Sequence, residues 1–277
     1  MLSAEQISLQ NQIRTELSVD EHFDVDAQIS RRAGFLADYL KRHRIDSLVL
    51  GVSGGVDSLV AGCLCQRAVE NLRAQGGAAR FYAMRLPYGE QKDESEAQAS
   101  LNVIKPDEVV TVNIKAASDS MLQAVKAGGT GFRDAFHEDF VLGNIKARQR
   151  MIAQYAVAGA YGGVVVGTDH AAEALMGFFT KFGDGAADLT PLTGLSKRRV
   201  RALAHALGAP DDLVYKVPTA DLESLAPQKP DEHAFGLTYD QLDDFLEGKE
   251  VAPDVFERIV DIFRRTAHKR ALPYSPS

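Results

Sequence analysis

Cysteine is scarce in this sequence: 277 residues contain only two, Cys63 and Cys65. Residues two positions apart on a helix point to different faces, so the two thiols do not form a local pair. They provide neither a disulfide framework nor a Cys-x-x-Cys motif, and this usage fits a reducing cytoplasm. We predict that both are buried as small apolar residues.

An excess of positive charge and long apolar runs are also lacking. The net charge of -7 argues against a protein that binds nucleic acid through bulk electrostatics. Residues 1–12 are largely polar and lack the apolar core of a signal peptide. The most apolar stretch, 151–167, contains Gln154 and three glycines before Val164, which predicts a helix end and a strand rather than a membrane span. We therefore expect a soluble cytoplasmic protein without nucleic-acid or membrane partners.

The sequence does contain an alternation of short apolar stretches and helix-like segments. Strands are predicted at 47–52, 80–87, 108–114 and 163–167, and helices at 27–43, 57–74, 90–104, 115–127 and 138–160. This rhythm predicts an α/β fold with a parallel twisted sheet and helices on both faces. Ligands of such sheets bind at the carboxyl ends of the strands.

The last hundred residues lose this rhythm. They predict C-terminal helices at 197–207, 238–247 and 254–268. Residues 218–233 contain three prolines and few apolar residues, which favours a mobile lid; a passive linker is the alternative. We expect a single domain over 1–277.

The most informative segment is 46–58, Asp-Ser-Leu-Val-Leu-Gly-Val-Ser-Gly-Gly-Val-Asp-Ser. A glycine-rich turn from a strand into a helix exposes N–H groups and the positive end of a helix dipole to an anion. Gly54 and Gly55 allow close approach, and Ser53 and Ser58 add hydroxyl donors. The segment lacks the Gly-Lys-Ser/Thr of the common phosphate loop and the Gly-x-Gly-x-x-Gly of dinucleotide-binding folds. An ordinary turn is the alternative.

A second strand end repeats this arrangement at 164–173, Val-Val-Val-Gly-Thr-Asp-His-Ala-Ala-Glu. Carboxylates at the ends of neighbouring strands can share Mg²⁺, which prefers oxygen ligands and also binds phosphates. We predict Asp57 and Glu173 as metal ligands; the alternative for Glu173 is a surface acid on a helix.

A third cluster lies in the glycine-containing segment 178–189. Lys181, Asp184 and Asp188 set a cation among acids, an arrangement that can bind and polarise a small polar group. A plain surface loop is the alternative.

Seven strings along the chain carry a family resemblance. They are Gly-Val-Ser-Gly-Gly-Val-Asp-Ser (51–58), Arg-Leu-Pro-Tyr-Gly (85–89), Gly-Asn-Ile-Lys-Ala-Arg (143–148), Val-Gly-Thr-Asp-His-Ala-Ala-Glu (166–173), Phe-Thr-Lys-Phe-Gly-Asp-Gly (179–185), Pro-Thr-Ala-Asp-Leu (218–222) and Ala-His-Lys-Arg (267–270). In this order they resemble the ammonia-dependent NAD synthetases of bacteria, which belong to the N-type ATP pyrophosphatases. The resemblance covers nearly the whole chain and implies an adenine-nucleotide α-hydrolase-like fold.

The resemblance implies a ligase that converts deamido-NAD, ATP and ammonia into NAD, AMP and pyrophosphate through an NAD-adenylate, the last step of NAD biosynthesis. Mg²⁺ is the implied cofactor, ATP a co-substrate, and a symmetric homodimer the implied assembly. Position 56 is valine where these synthetases often carry glutamine. Because the sequence offers no glutamine-hydrolysing module, we expect free ammonia to be the nitrogen donor.

The resemblance also implies roles for single residues. ATP would contact Gly51, Val52, Ser53, Gly54, Gly55, Val56, Asp57, Ser58, Arg85, Thr168, Lys197 and Thr219. Deamido-NAD would contact Phe140, Asn144, Arg148, Lys181, Asp188, His268 and Lys269. Asp184 and Lys197 are the implied catalytic residues, with Asp184 taking a proton from ammonium. The spacing of four puts Phe140, Asn144 and Arg148 on one helix face, although a core aromatic and an exposed arginine are the alternatives.

Two other functions are weighed against this one. Another ATP-pyrophosphatase ligase, such as a tRNA-modifying or GMP-forming enzyme, would share the turn at 51–58. A tRNA modifier should show a basic surface or sulfur-carrying cysteines, whereas the charge is negative and Cys63 and Cys65 are wrongly spaced. A non-catalytic nucleotide-binding module would need neither Glu173 nor the loop at 181–188.

Overall fold

Four parallel strands form the centre of the molecule. The computed structural model describes residues 2–89, 94–219, 222–225, 230–271 and 273–275. Its strands are β1 (Ser47–Gly51), β2 (Arg80–Arg85), β3 (Glu108–Thr111) and β4 (Gly163–Val165). They are ordered β3-β2-β1-β4, with Ser47 of β1 opposite both Arg80 and Gly163. The parallel sheet confirms the predicted fold class.

Helices surround this sheet and continue beyond it. In the described residues they are α1 (Ala4–Glu16), α2 (Val25–His43), α3 (Val56–Ala74), α4 (Glu94–Ile104), α5 (Lys115–Ala127), α6 (Ala135–Ala160), α7 (Ala171–Met176), α8 (Lys197–Ala206), α9 (Asp211–Val214), α10 (Asp231–Phe235), α11 (Tyr239–Leu246), α12 (Pro253–Arg265) and α13 (Ala267–Arg270). No helix in this part of the chain is long and apolar enough to cross a membrane.

The two faces of the sheet are buried by different helices. Leu48, Leu50 and Phe81 pack in one apolar cluster with residues of α2, α3, α4 and α8. Val49 and Tyr82, which alternate with them along the strands, pack on the other face with residues of α6. This alternation explains why the strands read as continuous apolar runs in the sequence. Cys63 and Cys65 are both buried in α3, as predicted.

The C-terminal helices form a second apolar cluster with α1 and α7. Helix α1 was not predicted, because among its own residues only Gln10 and Ile13 are buried. Gln10 Nε2 donates to Phe245 O in α11 at 2.8 Å, so a polar anchor replaces part of the apolar face expected of a packed helix. The N-terminal segment is thereby tied to the C-terminal helices.

Several predicted boundaries differ from the structure. The strands predicted to end at 87, 114 and 167 end at Arg85, Thr111 and Val165, although Val112 N still donates to Arg85 O at 2.9 Å. The helix predicted at 254–268 ends at Arg265, and a separate turn of helix follows. Residues 90–93 of the helix predicted at 90–104, and 220–221 and 226–229 of the predicted lid, lie outside the described residues.

Two glycines at the junction of α6 and β4 test the packing of the sheet. A Cβ on Gly163 would lie 2.8 Å from Ser47 Cβ and 2.9 Å from Ser47 O, whereas a Cβ on Gly159 would meet nothing within 4 Å. We expect Gly163→Ala to lower the free energy of unfolding by about 1–3 kcal/mol through overpacking. The matched control Gly159→Ala should be neutral or stabilising by up to about 1 kcal/mol, since alanine favours a helix. Urea unfolding measures both; equal stability of the two variants would contradict the observed register.

Candidate active site

The glycine-rich turn joins β1 to α3 at the carboxyl end of the sheet. Gly54 has a φ of +88°, and a Cβ there would lie 2.9 Å from the backbone N of Ala97 in α4, so this position requires glycine. Ser58 Oγ donates to Gly55 O at 3.0 Å, and Gly55 N donates to Ser53 Oγ at 3.2 Å. In the described chain no side chain caps the N-terminus of α3. Its dipole and first-turn N–H groups are therefore suited to an anion such as phosphate.

Four titratable side chains converge beside this turn from distant parts of the sequence. Lys197 Nζ lies 2.6 Å from Asp57 Oδ2. His170 Nε2 lies 3.4 Å from Asp57 Oδ1, 3.6 Å from Glu173 Oε2 and 3.5 Å from Lys197 Nζ. Asp57, Glu173 and Lys197 occupy the first turns of α3, α7 and α8, so three helix N-termini meet at one cluster.

Burial and mutual charge set the protonation of the cluster. Burial opposes ionisation of Asp57, but the charge of the Lys197 ammonium holds the pKa of Asp57 below its ordinary value. Burial lowers the pKa of His170 to about 3, so the imidazole is neutral at pH 7. Burial, followed by the charge of Asp57, raises the pKa of Glu173 well above its ordinary value. Burial and nearby carboxylates raise the pKa of Asp169 to about 7.

The donor set of this cluster fits a divalent cation. Asp57, His170 and Glu173 each offer a ligand atom, and these atoms lie within 4.8 Å of one another. Within the described residues, Asp57 Oδ1 and His170 Nδ1 are buried without a hydrogen-bond partner. A buried carboxylate oxygen without a donor, beside a second carboxylate, suits a hard cation that prefers oxygen ligands. The structure thus brings the predicted metal pair together.

Helix α11 fixes the position of Lys197. The fully buried carboxylate of Asp243 accepts hydrogen bonds from the backbone N–H groups of Lys197 at 2.8 Å and of Arg198 at 2.7 Å. The ring centroid of Tyr239 lies 5.1 Å from Lys197 Nζ, and the hydroxyl of Tyr239 donates to Asp231 Oδ2 at 3.0 Å. The second apolar cluster therefore holds the lysine against Asp57.

A cavity of about 290 Å³ opens at this edge of the sheet. The predicted site residues that line it are Gly51, Val52, Ser53, Gly55, Val56, Asp57, Ser58, Arg85, Thr168, Glu173, Asp184, Lys197 and Thr219. The turn, the acidic cluster and Asp184 thus border the same cavity. Gly54 supports the turn on the side away from this cavity.

Arg85, at the end of β2, joins two parts of the cavity wall. Its guanidinium donates to Val52 O and to Glu94 Oε2, the latter at 2.8 Å. The side chain of Arg85 is only 3% exposed. The arginine therefore ties the glycine-rich turn to the first residue of α4.

The loop at 178–189 places one acid in the cavity and uses another for support. Asp184 accepts a hydrogen bond from Thr180 N at 3.0 Å, and burial raises the pKa of its carboxyl. Asp188 Oδ2 accepts a hydrogen bond from Val165 N at 2.7 Å, which extends the end of β4. The structure therefore separates two acids that the sequence presents together.

The residues predicted to bind deamido-NAD lie around the cavity rather than in its lining. Phe140, Asn144 and Arg148 are carried by α6, and Phe140 is 55% exposed, so it is not a core aromatic. Arg148 Nη2 donates to Lys181 O at 3.2 Å, and Lys181 Nζ donates to His268 O. These contacts connect α6, the 178–189 loop and α13 in one rim.

Lys269, also on α13, completes this rim by binding the start of the 178–189 loop. Its Nζ donates to the carbonyl oxygens of Gly177 and Phe179, both at 2.8 Å. Burial lowers the pKa of Lys269, while the charge of Asp184 opposes that change. The lysine thus fixes the start of the loop that carries Asp184.

Sequence reasoning assigned no role to His170 or Asp231. His170 lies in the 164–173 segment, where Glu173 was the predicted metal ligand. The available signal in the sequence was that His170 stands three residues before this acid. Asp231 lines the cavity and is 6% exposed, and among the described residues nothing donates to its Oδ1. No local pattern marks Asp231, because an acid after a proline is typical of any helix start.

The buried neutral His170 predicts a pH dependence of stability. Its pKa in the fold, about 3, lies below the ordinary value of 6.5. As the pH falls below 6.5, His170 takes up a proton in the unfolded chain but not in the folded chain. The contribution of His170 to the free energy of unfolding is therefore complete above that pH and is lost progressively below it. Between pH 8 and pH 5 this loss should be about 2 kcal/mol.

Urea unfolding at both pH values measures this loss for the wild type and for His170→Gln. We expect the wild type to lose more stability than the variant by roughly the same 2 kcal/mol. Equal losses in the two proteins would show that His170 is not held neutral by burial.

Comparison with known proteins places this geometry in a family. Residues 28–273 match the family model described as NAD synthase. A protein of Streptomyces coelicolor named NH(3)-dependent NAD(+) synthetase is 64% identical over 270 residues, which are 98% of each chain. A crystal structure of NAD+ synthetase from Burkholderia pseudomallei is 56% identical, with a TM-score of 0.86 over 99% of this chain and 100% of that one.

A more distant solved structure carries a related name. NMN synthetase from Francisella tularensis is 33% identical, with a TM-score of 0.79 over 92% of this chain and 99% of that one. The family match and the two closer relatives each cover most of the chain, including the turn, the acidic cluster and the rim. The chain belongs to the NAD synthase family.

Proposed function

We propose that this protein is an ammonia-dependent NAD synthetase, a ligase that forms NAD, AMP and pyrophosphate from deamido-NAD, ATP and ammonia. The 64% identity to a protein of that name over 98% of both chains is the observation that carries the proposal. The cavity supports it, because a turn suited to phosphate, a cluster suited to a cation and a buried carboxyl border the same cavity.

The reaction requires activation of a poor acyl donor. An oxygen of the nicotinate carboxylate attacks the α-phosphorus of ATP, the bond to the β-phosphate bridging oxygen breaks, and pyrophosphate leaves. The acyl-adenylate then accepts ammonia at its carbonyl carbon, and AMP leaves with the former carboxylate oxygen. The enzyme must therefore hold pyrophosphate, stabilise its charge and keep water from the adenylate.

We assign the phosphate side to the turn and to Lys197. The N–H groups at the start of α3, with Ser53 and Ser58, would hold the departing pyrophosphate, while Thr168, Arg85 and Thr219 would contact the rest of ATP. Asp57 and Glu173 would hold Mg²⁺, which neutralises charge on the leaving group when bound. Lys197 supplies a fixed positive charge from the same side.

We assign the ammonia side to Asp184. Only NH₃ has the lone pair that attacks the acyl carbon, so ammonium must lose a proton first. Burial raises the pKa of Asp184, which makes its carboxylate a stronger base. Deamido-NAD would be held along the rim by Phe140, Asn144 and Arg148 on α6, together with Lys181, Asp188, His268 and Lys269.

The segment 218–233 is proposed as a lid over this site. In its described part, Thr219 and Leu222 line the cavity. Thr219 pairs with Pro230 in an antiparallel bridge, and Asp231 N donates to Pro218 O at 3.1 Å. The two ends of the segment are thus held together, which suits a flap that moves about a fixed base.

A second candidate function is suggested by the NMN synthetase of Francisella tularensis. Such an enzyme would amidate nicotinic acid mononucleotide by the same adenylation chemistry. The lower identity of that relative favours the dinucleotide, and a competition assay separates the two substrates by kcat/KM.

We expect the purified protein to form one NAD and one AMP from deamido-NAD with ATP, Mg²⁺ and ammonium chloride. The mononucleotide and glutamine should be poor replacements for deamido-NAD and ammonium. Asp57→Ala and Glu173→Ala should each lower AMP formation by about 100-fold or more, because charge on the leaving group is no longer balanced. Glu257→Ala, which removes an exposed acid of α12, is the matched control.

Chromatographic quantification of NAD and AMP measures these rates. Preference for the mononucleotide would assign the second function. Wild-type turnover by both site variants would refute the proposed cation site.

We further propose that the protein acts as a homodimer in the cytoplasm. Exposed apolar residues on α6 support a dimer, since Phe136, Phe140 and Ile152 are 72%, 55% and 52% exposed. The two free cysteines are buried and unpaired with each other, which suits a reducing compartment.

Sedimentation velocity tests the assembly. We expect a dimer for the wild type and a shift toward monomer for Ile152→Asp, because a carboxylate would be desolvated in the interface. A monomeric wild type at micromolar concentration, or an undisturbed dimer in the variant, would count against α6 as the contact.

A further inference from the structure

The hydrogen-bond ladder between β1 and β4 is interrupted at the carboxyl end of the sheet. Val166 N donates to Val49 O at 2.8 Å. The residues of a strand bond alternately to the strands on its two sides, so the next donor of β1 that faces β4 is Gly51 N. This N–H donates instead to the side-chain oxygen Oε1 of Gln154 in α6, at 2.8 Å. A side-chain amide therefore stands where the ladder would continue.

The backbone after β1 and the backbone after β4 bond to opposite sides at this point. Val52 N donates to Met84 O at 2.8 Å, so the chain after β1 stays with β2. Gly167 N donates to Leu189 O at 2.8 Å, on the side of β4 that faces away from β1. The cavity is lined on one side by the end of β1 and on the other by the end of β4. The two strand ends thus enclose a crevice of the kind in which such sheets bind ligands.

Gln154 is a polar residue on a face of α6 that otherwise packs on the sheet. Its neighbours Ala153 and Val157 pack against the apolar cluster on this side of the sheet. A polar side chain in such a layer is costly unless it is hydrogen-bonded. Gly51 permits the close contact, because a Cβ at that position would lie 3.2 Å from Gln154 Oε1. The amide of Gln154 therefore reaches the backbone of β1 directly, and its side chain lines the cavity.

Arg150, one helical turn before Gln154, makes a similar contact with the neighbouring strand end. Its Nε donates to Leu86 O, just after β2, at 3.1 Å. Both side chains line the cavity. Farther along the same helix, Val157 and Ala158 pack in the apolar cluster. The polar contacts of α6 with the sheet thus lie at the opened carboxyl end, where backbone groups need partners that a closed ladder would supply.

We propose that Gln154 is a positioning residue that keeps the ends of β1 and β4 apart and fixes Gly51 at the start of the glycine-rich turn. Its amide oxygen replaces the next carbonyl of β4, so the crevice stays open without leaving a backbone N–H unpaired. Gln154 acts through Gly51 on the turn that would contact MgATP. The identity of this nucleotide rests on the proposed ligase function, whereas the contact with Gly51 does not.

Two substitutions separate the bulk of Gln154 from its hydrogen bond. Gln154→Leu keeps an apolar side chain in the gap but offers no acceptor, whereas Gln154→Glu keeps an acceptor of the same length. Arg150, four positions earlier on the helix, can balance the charge of that carboxylate. In residue-resolved hydrogen exchange of the unliganded protein, the Gly51 amide should exchange about tenfold faster or more in Gln154→Leu and within about threefold of the wild type in Gln154→Glu.

Calorimetric titration with MgATP tests whether this contact matters to the nucleotide. Gln154→Leu should raise the dissociation constant about tenfold, the effect of losing one hydrogen bond, and Gln154→Glu should change it by less than about threefold. In turnover, Gln154→Leu should raise the KM for ATP and leave the KM for deamido-NAD unchanged. A mere loss of folded enzyme would lower kcat and alter neither KM. The same change at an exposed glutamine of α5, Gln123→Leu, is the matched control and should leave all these values unchanged.

Unchanged exchange of the Gly51 amide in Gln154→Leu, or an unchanged dissociation constant for MgATP in that variant, would overturn the proposal. If Gln154→Leu does not fold, Gln154→Glu decides, since loss of Gly51 protection in a variant that keeps the acceptor would equally contradict it. A wild type that binds MgATP and shows the expected differences from its variants, but forms no NAD, would refute the proposed function and leave the role of Gln154 intact.

Discussion

The buried ion pair between Lys197 and Asp57 is the interaction on which the site depends. Lys197 is 1% exposed, and its ammonium lies 2.6 Å from the carboxylate. Two charges removed from water are costly unless they are paired closely and bonded further. Here the pair joins the turn after β1 to the start of α8, and His170 lies against both partners. Removing either member would leave a buried charge without its partner, which is a strongly destabilising change.

This constraint explains why the C-terminal helices are part of the candidate site. The sheet alone presents Asp57 and Glu173, but it has no element that holds a lysine opposite them. Asp243 on α11 caps the N-terminus of α8 through two backbone N–H groups, and α11 packs in the same apolar cluster as α7. The second apolar cluster therefore serves as a scaffold that positions the ammonium of Lys197 at the carboxyl end of β1.

Local sequence patterns predict the sheet, the phosphate-binding turn and the two acids, because each depends on neighbours in the chain. The Ser-Gly-Gly-Val-Asp-Ser string and the apolar strand before it lie within a dozen residues. Lys197 is different, since it pairs with Asp57 across 140 positions and no local pattern marks it. Only the family resemblance indicated its role.

Contacts between distant parts of the chain account for what was not predicted. Asp139 and Lys146 resemble surface charges of a long amphipathic helix until residues 222–225 are seen to bond to them, and α1 is fixed by a buried glutamine rather than by an apolar stripe. In each case a polar side chain bonds to backbone atoms more than seventy positions away. Hydrophobic periodicity and helix propensity describe a helix and its neighbours in the chain. They therefore do not predict contacts of this kind.

Protonation links the acidic cluster to its ligands. Burial raises the pKa of Glu173 well above its ordinary value and that of Asp169 to about 7, while Lys197 keeps Asp57 ionised. A divalent cation bound at Glu173 would have to compete with the proton on that acid, so its binding would release protons and strengthen as pH rises. Because nucleotide phosphates bring further negative charge, the proposed cation and ATP would stabilise each other at the site. The cluster would therefore favour the two proposed ligands together over either one alone, which suits a reaction that must begin with both in place.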